Sequence, residues 1–272
     1  MSDHIAFSIR FFRGAARFPG PPGGRAGPIG GDGMAEYDEL WRGGPRFLRR
    51  EGGFKLSTDS VLLADFCAGI RAKRILDLGC GAGVLTVLLH LSHPAAEIGG
   101  VELSPEAAAL CRENLAANAL PADGILTGDL RECRALYPAG ACDLVVSNPP
   151  YFASGSGRSA PDAQRAQARD ERCCTLSELC AAAQYLCRWG GAFALVHRPE
   201  RLSELFCALT AAGLEPKRLR TVHYRAGCAP NLVLVEARRG GRPGLDIRKP
   251  LLLTDPDGGE SAELRAIYHR GE

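Results

Sequence analysis

Short apolar runs alternate with helix-length segments along most of this chain, and that alternation constrains its fold more than any other feature. Strands are expected at Arg74–Leu78, Ile98–Glu102, Ile125–Thr127, Asp143–Ser147, Ala192–Val196, Arg218–His223 and Leu232–Ala237. Helices are expected between them, over Val84–Leu91, Pro105–Ala117, a short stretch after Asp129, Leu176–Arg188 and Glu200–Ala212. Repeated β-α order implies a parallel sheet covered by helices on both faces. Arg74–Leu78, Asp143–Ser147 and Leu232–Ala237 are nearly continuous apolar runs, as strands buried on both faces should be. The expected architecture is therefore an α/β fold with a doubly wound, mostly parallel seven-stranded sheet. Ahead of it, Phe47–Arg50 and Phe54–Leu56 flank Glu51-Gly52-Gly53, which reads as a hairpin. Ser57, Thr58 and Asp59 are N-cap residues for a helix over Val61–Phe66.

The chain has 272 residues, enough for one large domain with appendages. Residues 1–33, with Pro19-Gly20-Pro21-Pro22-Gly23-Gly24 and Gly30-Gly31-Asp32-Gly33, are expected to form no packed element. The two methionines are Met1 and Met34, so this extension reads as the product of an upstream start codon. The remainder divides into an N-terminal hairpin and helix (34–72), a core (73–239) and a C-terminal tail (240–272). The net charge of +2 resides in the extension, so residues 34–272 sum to zero and no global polycation draws in nucleic acid. Local basic clusters exist: Arg46, Arg49, Arg50 and Lys55; Lys217, Arg218, Arg220 and Arg225; Arg238, Arg239, Arg242, Arg248 and Lys249. Eleven cysteines, without a C-x-x-C pair, fit reduced core thiols better than a disulfide scaffold or a zinc site. No apolar run approaches the ~18 residues that span a bilayer. Ala6–Phe12 is too short and too charged for a signal peptide. A cytoplasmic location is expected.

Chemistry concentrates at the ends of the expected strands, where doubly wound sheets bind ligands. Asp77-Leu78-Gly79-Cys80-Gly81-Ala82-Gly83 joins a strand to a helix. Its glycines permit a tight turn and close approach of a ligand to the backbone. They fall at 79, 81 and 83, one residue short of the G-x-G-x-x-G dinucleotide spacing. Asp77 would repel a pyrophosphate but suits an ammonium or sulfonium ligand. Glu102 ends the next strand, about 20 residues beyond the glycines, placed to accept both hydroxyls of a ribose. Asp129 or the Leu130 backbone after the third strand could contact an adenine edge, and Asp129 could equally cap a helix. Asn148-Pro149-Pro150-Tyr151 closes the fourth strand. The Asn148 amide oxygen can accept from an –NH2 group, the prolines add carbonyls without competing N–H donors, and Tyr151 offers a ring for a planar group to stack on. Such a site suits a neutral, conjugated amine: two acceptors on its hydrogens localise its lone pair toward an electrophilic methyl. A strong general base is not needed, because the amine loses its proton readily once alkylated.

The glycine loop, the acidic residue after the second strand and Asn148-Pro149-Pro150-Tyr151 resemble the class I amino methyltransferases, which are Rossmann-like and use S-adenosylmethionine. Phe54-Lys55-Leu56-Ser57-Thr58-Asp59 followed by Val61–Phe66 is similar to the tRNA-valine adenine-N6 methyltransferase family. So is Gly240-Gly241-Arg242-Pro243-Gly244-Leu245 with Pro250, Leu251 and Leu252. The resemblance covers roughly residues 36–270. It implies methylation of an adenine beside the anticodon of a tRNA, with RNA as partner and no membrane or metal. The implied cofactor-binding set is Thr58, Asp77, Gly79, Gly81, Gly83, Glu102, Leu103, Asp129, Leu130 and Asn148. The implied catalytic set is Asn148, Pro149, Pro150 and Tyr151. One departure is Arg169-Asp170-Glu171, where the family often has Arg-His-Glu, in the loop expected to meet the substrate. Two other readings remain open. A glutamine-N5 methyltransferase would use the same Asn-Pro-Pro-Tyr on a carboxamide, although such enzymes usually carry a helical substrate domain ahead of the core. A non-catalytic cofactor- or RNA-binding protein would have no need of Asp77, Glu102 and Asn148 together.

Overall fold

The computed structural model describes residues 36–49, 58–149 and 174–269. A two-stranded antiparallel hairpin comes first, β1 (Tyr37–Glu39) and β2 (Arg46–Leu48). Then follow α1 (Thr58–Cys67), β3 (Arg74–Leu78), α2 (Val84–Ser92), β4 (Glu97–Glu102), α3 (Pro105–Ala117) and β5 (Ile125–Thr127). A 3-10 turn at Leu130–Glu132 leads into α4 (Cys133–Leu136) and β6 (Cys142–Ser147). After these come α5 (Leu176–Leu186), β7 (Cys187–His197), α6 (Leu202–Ala211), β8 (Leu214–His223) and β9 (Pro230–Arg239). The described chain ends with β10 (Asp246–Ile247), β11 (Leu251–Leu252) and α7 (Ala262–Ile267).

The seven strands β3 to β9 build the expected sheet, in the order β8-β9-β7-β6-β3-β4-β5. β9 alone runs antiparallel to its neighbours. β10 and β11 both pair parallel with the outer edge of β8, which makes nine strands among the described residues. The period of two along each strand divides the core into two layers. Ile75, Leu144, Val146, Ala192, Ala194, Val196 and Leu234 face α1, α2 and α3. Leu76, Leu78, Val145, Phe193, Leu195, Val233 and Val235 face α5 and α6. α1 is buried on nearly all sides, with Ser60, Val61, Leu62, Leu63, Ala64, Phe66 and Cys67 inside. Such a helix is held by packing rather than by an amphipathic stripe.

Local signals explain several ends. Ser104 caps α3 by accepting the Ala107 N–H at 3.2 Å, with Pro105 at the first helical position. Thr175 and Glu178 form a reciprocal capping box that starts α5. The strand expected as the first arm of a hairpin has a partner on its N-terminal side. β2 pairs backward with β1, in the register Tyr37↔Leu48, and the link is closed by Leu40 N–H to the Pro45 carbonyl at 3.0 Å. Gly43, at φ +71°, supplies the left-handed residue of that link. The expected second arm, 54–56, and the turn 51–53 lie outside the described residues. The extension 1–33 does too.

The basic clusters of the outer edge are largely spent inside the molecule. The Glu236 carboxylate is buried between Arg218 at 2.9 Å and Arg238 at 2.7 Å. Arg218 also lies over the Phe66 ring at 3.9 Å and donates to the Phe66 carbonyl at 2.7 Å. Arg220 holds Glu263 at 2.6 Å, Lys217 donates to the Arg242 carbonyl at 3.0 Å, and Arg239 donates to the Cys187 carbonyl at 2.7 Å. The Arg220 and Lys217 bonds fasten the C-terminal segment to the sheet edge. Every cysteine among the described residues is a free thiol, and most are buried. No described helix is long and apolar enough to cross a membrane. No described group of His, Cys, Asp and Glu could hold a metal ion.

Candidate active site

The carboxyl ends of β3, β4 and β6 lie side by side and converge on one edge of the sheet. At the end of β3 the chain turns through three left-handed glycines, Gly79 at φ +75°, Gly81 at φ +54° and Gly83 at φ +84°. The two outer glycines are required for different reasons. A Cβ on Gly83 would stand 2.5 Å from the Cys111 sulfur, whereas a Cβ on Gly79 would meet nothing within 4 Å. Gly83 is thus closed against the helix layer, and Gly79 borders open space into which only a strained side chain would project. The N–H groups of Gly79 and Cys80 donate to the Val101 carbonyl at 2.8 and 3.2 Å, which seats the loop on β4.

Asp77 is 1% exposed and accepts the Thr86 hydroxyl at 2.7 Å, tying the strand end to the first turns of α2. Burial pushes its carboxyl up to about 7, with the nearby Glu102 charge acting in the same direction and the Thr86 hydrogen bond opposing both. Glu102 accepts the Gly81 N–H on Oε2 and the Ser104 N–H on Oε1, each at 2.9 Å. A carboxylate has about four lone-pair sites, so two further donors can be accommodated. Leu103, beside it, presents an apolar side chain that is 47% exposed. Asp129 accepts the Arg131 N–H at 2.8 Å and pairs with the Arg131 guanidinium, which holds its carboxyl below the ordinary range. It therefore caps the 3-10 turn that begins at Leu130.

Asn148 is placed by two serines that sequence reasoning did not single out. Ser147 donates its hydroxyl to the Leu78 carbonyl at 2.7 Å, drawing the end of β6 against the glycine loop. Asn148 donates from Nδ2 to the buried Ser60 hydroxyl, at 3.0 Å, in the first turn of α1. The other end of the amide, Oδ1, is an acceptor. Ser60 follows Thr58 and Asp59, expected as caps and found as the first residues of α1, a signal that marks a helix start but says nothing of a partner 88 residues away. Thr58 stands near the same end of α1, where the Tyr268 hydroxyl approaches its Oγ1 at 3.3 Å. Pro149 is buried and continues the strand end. Pro150, Tyr151 and residues 152–172, with Arg169-Asp170-Glu171, lie outside the described residues.

Residues 54–200 match the family model described as methyltransferase small domain. A protein of Tolumonas auensis named tRNA1(Val) (adenine(37)-N6)-methyltransferase is 34% identical over 217 residues, covering 78% of this chain and 87% of that one. A protein of the same name from Aeromonas hydrophila is 35% identical over 187 residues, covering 68% and 77%. The chain belongs to this methyltransferase family. A crystal structure from Agrobacterium tumefaciens, described as a predicted O-methyltransferase, has the same fold, with a TM-score of 0.64 at 25% identity over 78% of this chain and 96% of that one.

The methyltransferase cofactor is S-adenosylmethionine, and the residues at the sheet edge fit it. Open space beside Gly79 admits a ligand against the backbone. Glu102 retains acceptor capacity for ribose hydroxyls, Leu103 exposes an apolar surface suited to an adenine face, and Asp77 is a buried carboxylate that a cation would favour in its ionised form.

Proposed function

We propose that this enzyme methylates the N6 amino group of an adenine in tRNA, at position 37 beside the anticodon as the names of its relatives specify, with Asn148 as the residue that presents the amine. The observation that carries this reading is the Asn148 amide at the end of β6: its Nδ2 is committed to Ser60, so its remaining end accepts. S-adenosylmethionine, when bound, supplies an electrophilic methyl on a positively charged sulfur. The Asn148 carbonyl accepts one hydrogen of the adenine –NH2, and the Pro149 unit brings a backbone carbonyl without an N–H of its own. These acceptors turn the nitrogen lone pair out of the ring system. Glu102 and the glycine loop hold the cofactor side, and the proton leaves the alkylated nitrogen to water. The target base must leave its stack, which costs least in a loop such as the anticodon's. Tyr151 is the ring on which the flipped base would stack.

Asn148→Ala should lower the single-turnover methylation rate of tRNA about 10²–10³-fold, the scale for losing one oriented polar group at a reacting centre, while cofactor affinity moves far less. Full activity in this variant would remove Asn148 from the chemistry. A parallel loss of cofactor binding would make it a cofactor residue instead.

A further inference from the structure

Two N–H groups of the N-terminal hairpin point away from β1 toward α3. Arg46 N–H donates to Asn118 Oδ1 and Leu48 N–H to Asn114 Oδ1, both at 2.8 Å. The two asparagines are four residues apart and share one face of the helix. Asn118 turns its Nδ2 back to the Arg46 carbonyl and to the Asn114 carbonyl, each at 2.7 Å. Asn114 does something different: its Nδ2 donates to the Ala82 carbonyl at 2.8 Å, inside the glycine loop. Asn114 is 1% exposed, and its amide cannot be reversed without setting donor against donor at Leu48 and acceptor against acceptor at Ala82. Among the described residues the glycine loop therefore has four side-chain tethers. Gly81 on Glu102, Asp77 on Thr86 and Leu78 on Ser147 stay with α2 and the neighbouring strand ends, whereas Ala82 on Asn114 leads to the hairpin.

We propose that Asn114 is a positioning residue through which the docked hairpin sets the glycine loop, so that cofactor affinity and hairpin docking depend on each other. This rests on the loop being the S-adenosylmethionine site. Coupling of this kind is reciprocal: cofactor holds the hairpin down by the same factor that the docked hairpin tightens cofactor.

The test uses the full chain and S-adenosylhomocysteine as probe, reading its dissociation constant by calorimetry and amide exchange by mass spectrometry. In the wild type, bound probe should slow exchange of the Leu48 amide severalfold and leave the Ile247 amide, on the far sheet edge, unchanged. Asn114→Asp keeps an acceptor for Leu48 but sets a carboxylate oxygen against the Ala82 carbonyl. Its dissociation constant should rise about tenfold, the scale of one lost hydrogen bond, and the probe should no longer slow Leu48. Asn118→Ala loosens the hairpin at Arg46 without touching the loop, so it reads the coupling even if the buried aspartate does not fold. It should weaken probe binding severalfold. A Leu48 amide indifferent to probe in the wild type, or wild-type affinity in Asn118→Ala, would overturn the coupling. Failure of the wild type to bind probe at all would overturn the cofactor site as well, so the two are told apart.

Discussion

Asp77 and Glu102 stand one strand apart at the same edge, yet their surroundings assign them different work. Asp77 is enclosed and bonded to Thr86, and burial raises its carboxyl from 3.8 to about 7. Between those two values the folded chain holds a proton that the unfolded chain has released, so this group's contribution to stability falls as pH rises through that window. Asp77→Asn removes the titration while leaving an oxygen to accept from Thr86. The stability of this variant relative to wild type should therefore grow from pH 5 to pH 8 in the absence of cofactor. Denaturation midpoints that run parallel across that range would show that Asp77 is already ionised in the free protein. Glu102 has two backbone N–H partners and spare lone pairs, which suits it to ribose hydroxyls. Glu102→Ala should weaken S-adenosylmethionine binding about ten- to hundredfold, the equivalent of roughly 1–3 kcal/mol for unpaired polar groups. Calorimetry returning the wild-type affinity would remove Glu102 from the ribose contact.

At the level of elements, legibility followed how local the determining signal was. α3 starts at Pro105 as expected because Ser104 and Pro105 carry their own instruction. β6 was legible from its apolar run, and Asn148 follows its end at the sheet edge where β3 also ends. The β1–β2 pairing was not legible, because Tyr37–Glu39 is three residues long and carries no apolar run of its own. β7 begins at Cys187 rather than Ala192, since Trp189-Gly190-Gly191 looks like a turn but lies in a strand bonded to Arg238 and Arg239. β10 and β11 have two residues each and exist only because β8 offers them an edge. The same edge gives the basic clusters their role. Glu236→Ala would leave Arg218 and Arg238 facing each other without their carboxylate, and should cost about 2–4 kcal/mol. Urea unfolding would show this as a lower midpoint at unchanged slope. A change within about 0.5 kcal/mol would mean that the two arginines find other partners there.

Over the whole molecule, the doubly wound sheet brings the ends of β3, β4 and β6 to one edge, and every motif singled out in the described core ends there. That much follows from β-α alternation and strand-end motifs. The contacts that complete the site do not, because Ser60 with Asn148 and Ser147 with Leu78 join residues 88 and 69 positions apart. The acceptor geometry at Asn148 serves any planar amine, so choice of substrate belongs to the molecule as a whole rather than to that side chain. The most direct measurement offers the purified chain two acceptors side by side with labelled S-adenosylmethionine: total RNA from a strain lacking the gene, and a glutamine-bearing release factor. Mass spectrometry of digested nucleosides should find N6-methyladenosine in the tRNA fraction and no label in the protein. Label in the release factor with none in RNA would contradict the adenine assignment.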